Sequence, residues 1–329
     1  MSIDNIELVS QLRDTVKKVC DDFPGQYWRE KDRTRDYPSE FVNALTELGL
    51  LASLIPEEYG GSGLPLSMGA EILTAIHEFG GNAAACHAQM YTMGTVLRHG
   101  NEEQKKRYLP SIASGDLRLQ AFGVTEPTAG TDTTSISTVA IRNADGYLVN
   151  GQKIWTSRAE HSDLMVLLAR TTPKDKVKKR SDGLSVFLID MRDALGNGMT
   201  IKPIRTMINH ATTEIFFDDL LIPTDSLIGE EGNGFKYILS GMNAERILIA
   251  AECIGDARWF IKKASDFKPA LRQISVATSQ SFVLFPFFTC LSRSSLPVST
   301  PKLTTPQPAL FIISAISRSM ESGRLLQAQ

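Results

Sequence analysis

The sequence lacks the patterns on which several common protein classes depend. Its four cysteines form no CxxC pair and its five histidines no HExxH spacing, so no metal site is expected. Neither GxGxxG nor GxxxxGK[ST] occurs, so no standard phosphate-binding loop is predicted. No apolar run approaches the roughly 18 residues that a membrane-spanning helix needs. A net charge of −2 gives no reason to expect nucleic acid as a partner.

The N-terminal residues carry no recognisable targeting signal. Asp4 and Glu7 interrupt the first nine residues, which have no apolar stretch and no excess of arginine. The last two residues, Ala328 and Gln329, do not form a peroxisomal address. With isolated cysteines that are expected to be reduced, the sequence predicts a protein of the cytoplasm or the mitochondrial matrix.

Three kinds of pattern divide the chain. Residues 1–119 have apolar residues at three- and four-residue spacing, which predicts an all-α domain whose last helix is capped by Asn101 and closed by Gly115. Residues 120–230 break into short apolar runs around Asp145-Gly146 and Asn150-Gly151, which predicts a β domain with hairpin turns. The polar stretch 174–180 is interpreted as a solvated hairpin tip. Helical spacing returns over residues 231–266.

Residues 267–329 differ from everything before them. Serine, threonine and proline are frequent there, charges are sparse, and five prolines from Pro286 to Pro308 prevent a long helix. We interpret this segment as an atypical tail, such as a frame change or a retained intron would produce. The fold class expected is α+β, with an incomplete C-terminal helical domain.

The segment 123–132, GVTEPTAGTD, contains the residues that are best suited to bind a ligand. Its small hydroxyl residues and glycines would expose backbone N–H groups and hydroxyls to an anionic or heteroaromatic ligand. An ordinary strand end with a capped turn explains the local pattern equally well. The choice depends on the surrounding motifs, which are GLL at 49–51, PEEYGG at 56–61, NEEQKKRYLP at 101–110, NGQKIWTS at 150–157 and FFDD at 216–219.

Together these motifs resemble, in order, those of the FAD-dependent acyl-CoA dehydrogenase family over about residues 1–266. The resemblance implies an N-terminal helical domain, a middle β-barrel or sandwich domain and a C-terminal helical domain, usually in a homotetramer. It implies FAD as cofactor and α,β-dehydrogenation of an acyl-CoA, with electron-transfer flavoprotein as the partner. A short- or branched-chain acyl group is the expected substrate, in fatty-acid or branched-chain acid catabolism.

The same resemblance implies roles for residues of the β domain. Phe122, Val124 and Thr125 would line the isoalloxazine ring, Trp155 would pack on it, and Ser157 would hydrogen-bond near its N5 atom. Thr131 would lie near the cofactor or the CoA arm. A flat ring suits an aromatic neighbour, although in isolation Trp155 is better explained as a core tryptophan on a strand.

The family chemistry requires a carboxylate base near the α-carbon of the substrate. The residues Asn243, Ala244, Glu245 and Arg246 resemble the arrangement of isovaleryl- and long-chain-type relatives, with Glu245 as base and Asn243 and Arg246 near the substrate. Ile238, Met242, Glu245 and Ile249 share one helix face. A surface glutamate, or an ion pair with Arg246 or Lys236, is the competing interpretation.

The resemblance ends where the tail begins. No second family signature and no alternative base occurs in residues 267–329. A non-catalytic, truncated family member is therefore the first alternative function. An oxidase or monooxygenase that uses oxygen is the second.

Overall fold

The computed structural model describes residues 3–277, and the side chains of residues 5–267. In this part of the chain the α-helices are α1 (Ile3–Asp22), α2 (Gly25–Thr34), α3 (Ser39–Glu47), α4 (Leu66–Glu78), α5 (Ala88–His99), α6 (Glu102–Ser114), α7 (Met191–Ala194) and α8 (Gly234–Ala277). The strands are β1 (Leu119–Gly123), β2 (Val139–Arg142), β3 (Tyr147–Ser157), β4 (Leu164–Arg170), β5 (Leu184–Asp190), β6 (Met199–Pro203), β7 (Thr212–Ile222) and β8 (Leu227–Ile228). The predicted α+β class, helical before and after a sheet, is confirmed.

The N-terminal helices pack their apolar faces together. Phe41 and Leu45 of α3 are fully buried with Leu73 and Ile76 of α4, as residues at helical spacing should be. Burial of each such side chain stabilises the fold by about 1.5–3 kcal/mol. These helices therefore form a tightly packed layer.

The predicted ends of α6 are confirmed in detail. The Asn101 side chain accepts a hydrogen bond from the Gln104 backbone N–H, and the Gln104 side chain accepts one from the Asn101 N–H. This reciprocal pair satisfies two donors that a helix start leaves free. At the other end Gly115 takes the left-handed conformation, with φ of 85°.

The strands form one sheet in the order β6-β7-β3-β2-β4-β5-β8, and β1 pairs with β4 in parallel. Every residue of β4 is buried, which is typical of a strand covered on both faces. The longest strands, β3 and β7, are antiparallel partners of 11 residues each. The segment that follows β1 lies beside the second half of β3, where the Ile154 N–H donates to the Thr125 carbonyl.

One of the two predicted turns is wrong. Asp145 and Gly146 lie in the β2–β3 hairpin, where the Gly146 carbonyl accepts from Asn143 N–H at 2.9 Å. Asn150 and Gly151, however, lie inside β3 at a shift in its register with β7. A Cβ on Gly151 would lie 2.7 Å from the Thr138 Cα, so this glycine permits a close approach of two backbone segments. Asn150 and Gly151 therefore allow close packing and do not form a turn. Their local sequence is the same in both cases, so it does not distinguish the two roles.

The loop 174–180 connects β4 to β5, as a hairpin tip should. Its basic residues do more than contact solvent, because two of them bind the segment that precedes β2. Lys174 Nζ donates to the Ser135 carbonyl at 2.9 Å, and Arg180 bonds the Asp132 carboxylate at 2.8 Å. The loop therefore closes over the segment 132–135.

Helix α8 extends to Ala277, eleven residues beyond the predicted boundary at 266. It continues through Pro269, because Ala270 and Leu271 are good helix formers and one proline removes only one backbone donor. The remainder of the predicted tail, residues 278–329, lies outside the described residues. Within the described residues the chain divides into two units, residues 3–259 and residues 260–277. No helix within residues 3–277 is long and apolar enough to cross a membrane.

Candidate functional site

The segment after β1 is held by one buried carboxylate. Glu126 accepts hydrogen bonds from the backbone N–H of Ser137 at 2.6 Å and of Thr138 at 2.9 Å, and from the Ser137 hydroxyl at 2.7 Å. Lys153 of β3 pairs with it at 2.8 Å, and also donates to the Val124 carbonyl at 3.1 Å. The two side chains are 1% and 0% exposed. They therefore clamp the candidate ligand-binding segment to the middle of β3.

The electrostatics of this pair keep both groups charged at neutral pH. Burial by itself raises the pKa of Glu126, but the charge and hydrogen bond of Lys153, with the bonds from Thr138 and Ser137, lower it to about 2. Burial lowers the pKa of Lys153 to about 8, against the opposing pull of Glu126. An ion pair this deep in the domain positions the chain rather than reacting with a ligand.

Trp155 is displayed next to that clamp. The Thr125 carbonyl accepts from the Ile154 N–H at 2.9 Å, so Thr125 and Trp155 are neighbours across the two segments. Trp155 is 58% exposed and has a φ of 62°, at a shift in the β3–β7 register. A bulky residue in the left-handed region is uncommon and costs roughly 1–3 kcal/mol. A core tryptophan would be covered. The exposed ring on a strained backbone therefore indicates a surface suited to a ligand.

The other residues predicted to contact the flavin differ in their burial. Phe122 and Val124 are half-buried and pack against one apolar cluster, which includes Leu164, Val166 and Leu168 of β4. The Ser157 hydroxyl, half-buried at the end of β3, makes no hydrogen bond within the described residues. Thr131 is exposed, and its neighbour Asp132 is bonded by Thr134, Ser135 and Arg180. These hydrogen bonds hold the pKa of Asp132 down at about 2, so the loop tip keeps one negative charge.

Glu245, the predicted base, lies on α8. Met242, one turn before it, packs against the cluster that also contacts Phe122 and Val124. Glu245 is half-buried, and among the described side chains, residues 5–267, no cation lies within 4 Å of its carboxylate. Burial raises the pKa of Glu245, and the charge of Arg246 opposes that shift. The ion pairs weighed for Glu245 are therefore not formed, and the group is a stronger base than an exposed carboxylate.

Asn243 and Arg246 lie on the exposed side of the helix. The Arg246 guanidinium donates to the Asn243 amide oxygen at 3.1 Å, and both side chains are exposed. The structure therefore brings these two residues together. It does not bury either of them beside Glu245.

A buried polar group on α8 escaped sequence reasoning. Glu252 bonds the Nδ1 atom of His87 at 2.6 Å and lies 3.5 Å from Nε2 of His77. His77 Nε2 accepts from the Ala83 N–H at 3.2 Å, so its Nδ1 carries the proton and donates to Asp256 at 2.9 Å. This network joins α8 to α4 and α5. No local pattern predicts it, because Glu252 and Asp256 are more than 160 residues from the two histidines.

Replacing Glu245 should stabilise the protein at neutral pH. Its pKa is higher in the folded than in the unfolded chain, so its contribution to stability is present below the unfolded value and is lost as pH rises through the folded value. Glu245→Gln removes this loss, and we expect a higher Tm than wild type near pH 7. The difference should disappear near pH 4, where both states are about equally protonated.

Thermal unfolding followed by circular dichroism at both pH values measures this effect. Glu58→Gln, at an exposed position, is the matched control and should change the Tm little at either pH. A Tm of Glu245→Gln below that of wild type at neutral pH would mean that the carboxylate has a stabilising partner.

Comparison with known proteins adds an independent line of argument. Residues 7–116 match the family model "Acyl-CoA dehydrogenase, N-terminal domain", and residues 121–220 match "Acyl-CoA dehydrogenase, middle domain". The chain is 34% identical over 273 residues to an acyl-CoA dehydrogenase of Bacillus subtilis, covering 79% of this chain and 69% of that one. It is 32% identical over 273 residues to a glutaryl-CoA dehydrogenase of Desulfococcus multivorans, covering 81% and 67%.

Solved structures agree with the sequence relatives. A glutaryl-coenzyme A dehydrogenase in complex with glutaryl-CoA superposes with a TM-score of 0.73 at 29% identity, over 81% of this chain and 67% of that chain. A cyclohex-1-ene-1-carbonyl-CoA dehydrogenase of Syntrophus aciditrophicus is matched over only 56% of its own length. The chain thus spans between about half and two thirds of the length of these relatives.

Proposed function

The chain belongs to the acyl-CoA dehydrogenase family, and we propose that it carries the base and much of the flavin surface for FAD-dependent α,β-dehydrogenation of an acyl-CoA thioester. The observation that supports the proposal is that both groups are available for a ligand: the half-buried Glu245 carboxylate has no ion pair among the described side chains, and the Trp155 ring is 58% exposed. An unpaired, half-buried carboxylate on α8 follows Met242, which packs against the same cluster as Phe122 and Val124. An acyl-CoA with a short or branched chain is the proposed substrate.

Glu245 supplies the proton chemistry in this proposal. Its carboxylate accepts the α-proton of the acyl group, which the thioester carbonyl acidifies. Partial burial makes it a stronger base than an exposed glutamate. FAD, when bound, would supply the acceptor for the β-hydrogen, which leaves as hydride (one proton and two electrons), so that a carbon–carbon double bond can form.

The residues present fit a flavin. Trp155 offers an uncovered aromatic face, and Ser157 offers a hydroxyl without a partner within the described residues. The buried Thr156 hydroxyl has no hydrogen-bond partner either, beside the same strained position. Phe122, Val124 and Thr125 would contact the ring system, and its polar edge would meet Ser157 and backbone groups.

The residues proposed to contact CoA and the substrate are exposed. Thr131 would contact the cofactor or the CoA arm, and Asn243 and Arg246 would contact the substrate. Their mutual hydrogen bond is exposed and contributes little, so it can be exchanged for bonds to a ligand. Electron-transfer flavoprotein as electron acceptor, and a homo-oligomer, belong to the same proposal.

The absorbance spectrum of the purified chain tests this function. A flavin band in the visible that bleaches when butyryl- or isovaleryl-CoA is added without air would support it. Glu245→Gln should slow the bleaching about 10²–10⁴-fold, the usual contribution of a general base. Glu245→Asp, which keeps a carboxylate, should lose less.

One alternative function has support from the structure. Leu239 and Ile247 of α8 are each 40% exposed, and the chain spans about two thirds of its relatives. A non-catalytic family member would leave such apolar residues uncovered and would purify without colour. Oxygen consumption on substrate addition in air would instead indicate an oxidase or monooxygenase.

A further inference from the structure

One buried imidazole ring joins α4 to α8 and to the segment before α5. His77 of α4 is 8% exposed. Its Nδ1 atom donates to the Asp256 carboxylate at 2.9 Å, and its Nε2 atom accepts from the Ala83 N–H at 3.2 Å. The Oε2 atom of Glu252 lies 3.5 Å from the same Nε2 atom. Two different groups therefore approach one ring nitrogen.

The contact between His77 and Glu252 brings two acceptors together. A neutral ring that accepts from Ala83 at Nε2 has no proton there to donate. The Oε1 atom of Glu252 accepts from His87 Nδ1 at 2.6 Å, whereas its Oε2 atom accepts no hydrogen bond among the described side chains. A buried carboxylate oxygen without a donor is costly. A proton on His77 Nε2 would supply that donor.

The same proton would remove the partner of the Ala83 N–H. Ala83 is fully buried, so water does not replace the lost acceptor. Residues 82, 84 and 85 on either side of it, together with Gly80, line a cavity of about 600 Å³. The bond from Ala83 to His77 therefore ties one wall of this cavity to α4.

The charges around the ring favour a proton on it. Glu252 and Asp256 of α8 both face His77, at 3.5 and 2.9 Å. The next residue of α4, Glu78, is already bonded by Arg13 of α1 at 2.9 Å and by Arg258 of α8 at 3.0 Å. The Asp256 side chain is 52% exposed, so solvent reaches the edge of this network.

The second histidine of the network takes a different part. Burial lowers the pKa of His87, the hydrogen bond and charge of Glu252 oppose this, and the charge of Arg158, a buried arginine, adds to the lowering. His87 is consequently neutral near pH 7. It donates to Glu252 in that state and leaves the Oε2 atom to His77.

We propose that His77 is a pH-dependent switch that exchanges one partner for another. The neutral ring holds the segment 82–85 through the Ala83 N–H, and the protonated ring releases that segment and donates to Glu252. The exchange requires the contact with Glu252 to shorten from 3.5 Å to about 2.8 Å, the length of a charge-assisted hydrogen bond. Acid would thus tighten α8 on α4 and free the cavity wall. This inference concerns packing, and it holds whether or not Glu245 acts as a base.

Hydrogen exchange of the Ala83 amide in the full chain tests the switch. Mass spectrometry with fragmentation to single residues measures it, after correction for the intrinsic effect of pH on exchange. We expect the protection of wild type to fall roughly twofold to tenfold between pH 8 and pH 5, the factor that corresponds to one hydrogen bond. Histidine changes its charge in this range. In His77→Gln the amide oxygen keeps an acceptor but binds no proton, so protection should not depend on pH.

His99→Gln is the matched control. His99 also connects α5 to α8, through Ser240 at 2.8 Å, but lies outside the network, so this variant should keep the pH dependence of wild type. Protection of Ala83 in wild type that is constant from pH 8 to pH 5 would overturn the proposal. The same pH dependence in His77→Gln as in wild type would overturn it as well.

Asp256→Asn keeps the test decisive if His77→Gln does not fold. Its amide oxygen still accepts from Nδ1, but one of the two negative charges beside the ring is gone. The midpoint of the change in Ala83 protection should therefore move down by about one pH unit. An unchanged midpoint would mean that another group controls the exchange, and the switch would be excluded.

Discussion

Lys153→Met is expected to lower the free energy of unfolding by about 3–5 kcal/mol, the loss typical of breaking a buried ion pair from one side. The substitution leaves the Glu126 carboxylate buried without an opposite charge. It also removes the donor to the Val124 carbonyl. Urea denaturation near pH 7 measures the effect.

The pH dependence distinguishes this mechanism from simple loss of packing. In wild type the pKa of Glu126 is held at about 2, so its stabilising contribution is present above the unfolded pKa and is lost as pH falls from there to about 2. Without Lys153, burial dominates and Glu126 binds a proton more readily. The deficit of Lys153→Met should therefore shrink as pH falls from 7 towards 4.

The double variant Glu126→Gln with Lys153→Met supplies the control. It has no unpaired charge, so it should be more stable than Lys153→Met although it lacks one more native group. A loss below about 1 kcal/mol for the single variant, the value of an exposed pair, would contradict the argument. So would a double variant that is less stable than either single one.

Gly255→Ala is expected to destabilise the protein by roughly 1–3 kcal/mol, although helix propensity alone predicts a gain of up to about 1 kcal/mol. A Cβ at this position of α8 would lie 2.3 Å from the Thr74 carbonyl oxygen and 2.7 Å from the His77 Cβ. Backbone and Cβ atoms cannot rotate away, so α8 would have to move off α4. That movement would also disturb the hydrogen bonds of Glu252 to His87 and of Asp256 to His77.

Gly241→Ala in the same helix is the matched control. Its Cβ would meet only side-chain atoms, Thr95 Oγ1 at 3.3 Å and Arg98 Nη2 at 3.6 Å, which can shift slightly. We expect this variant to be neutral or more stable, because propensity then outweighs crowding. Equal stabilisation of both variants in thermal denaturation would mean that α8 and α4 do not approach closely.

Local patterns predicted most of the elements that the structure contains. The capping box at Asn101 and the strands around Tyr147, Leu164 and Leu184 are confirmed because each depends on neighbouring residues. The turn at Asn150 and Gly151 is wrong because contact with Thr138, a distant residue, decides that backbone. The end of α8 was placed too early because proline was weighted above its neighbours.

The candidate site divides in the same way. Glu245, Trp155 and Ser157 were selected from motifs, and their roles stay predictions. The exposure and positive φ of Trp155 could not be foreseen, because both result from a shift in the pairing of β3 with β7. Arg158 drew no attention in the sequence, since one arginine among 35 basic residues has no local mark.

The sequence by itself determined the family, the order of helices and strands, and the residues that suit a flavin and a base, because these depend on spacing and residue type. Only the tertiary structure decided which charges are paired. Lys153 pairs with Glu126, and Glu252 pairs with His87. Glu245 and Arg158 have no opposite charge within 4 Å among the described side chains. Pairing depends on burial and on distances between segments far apart in the chain, and no short pattern encodes either of these.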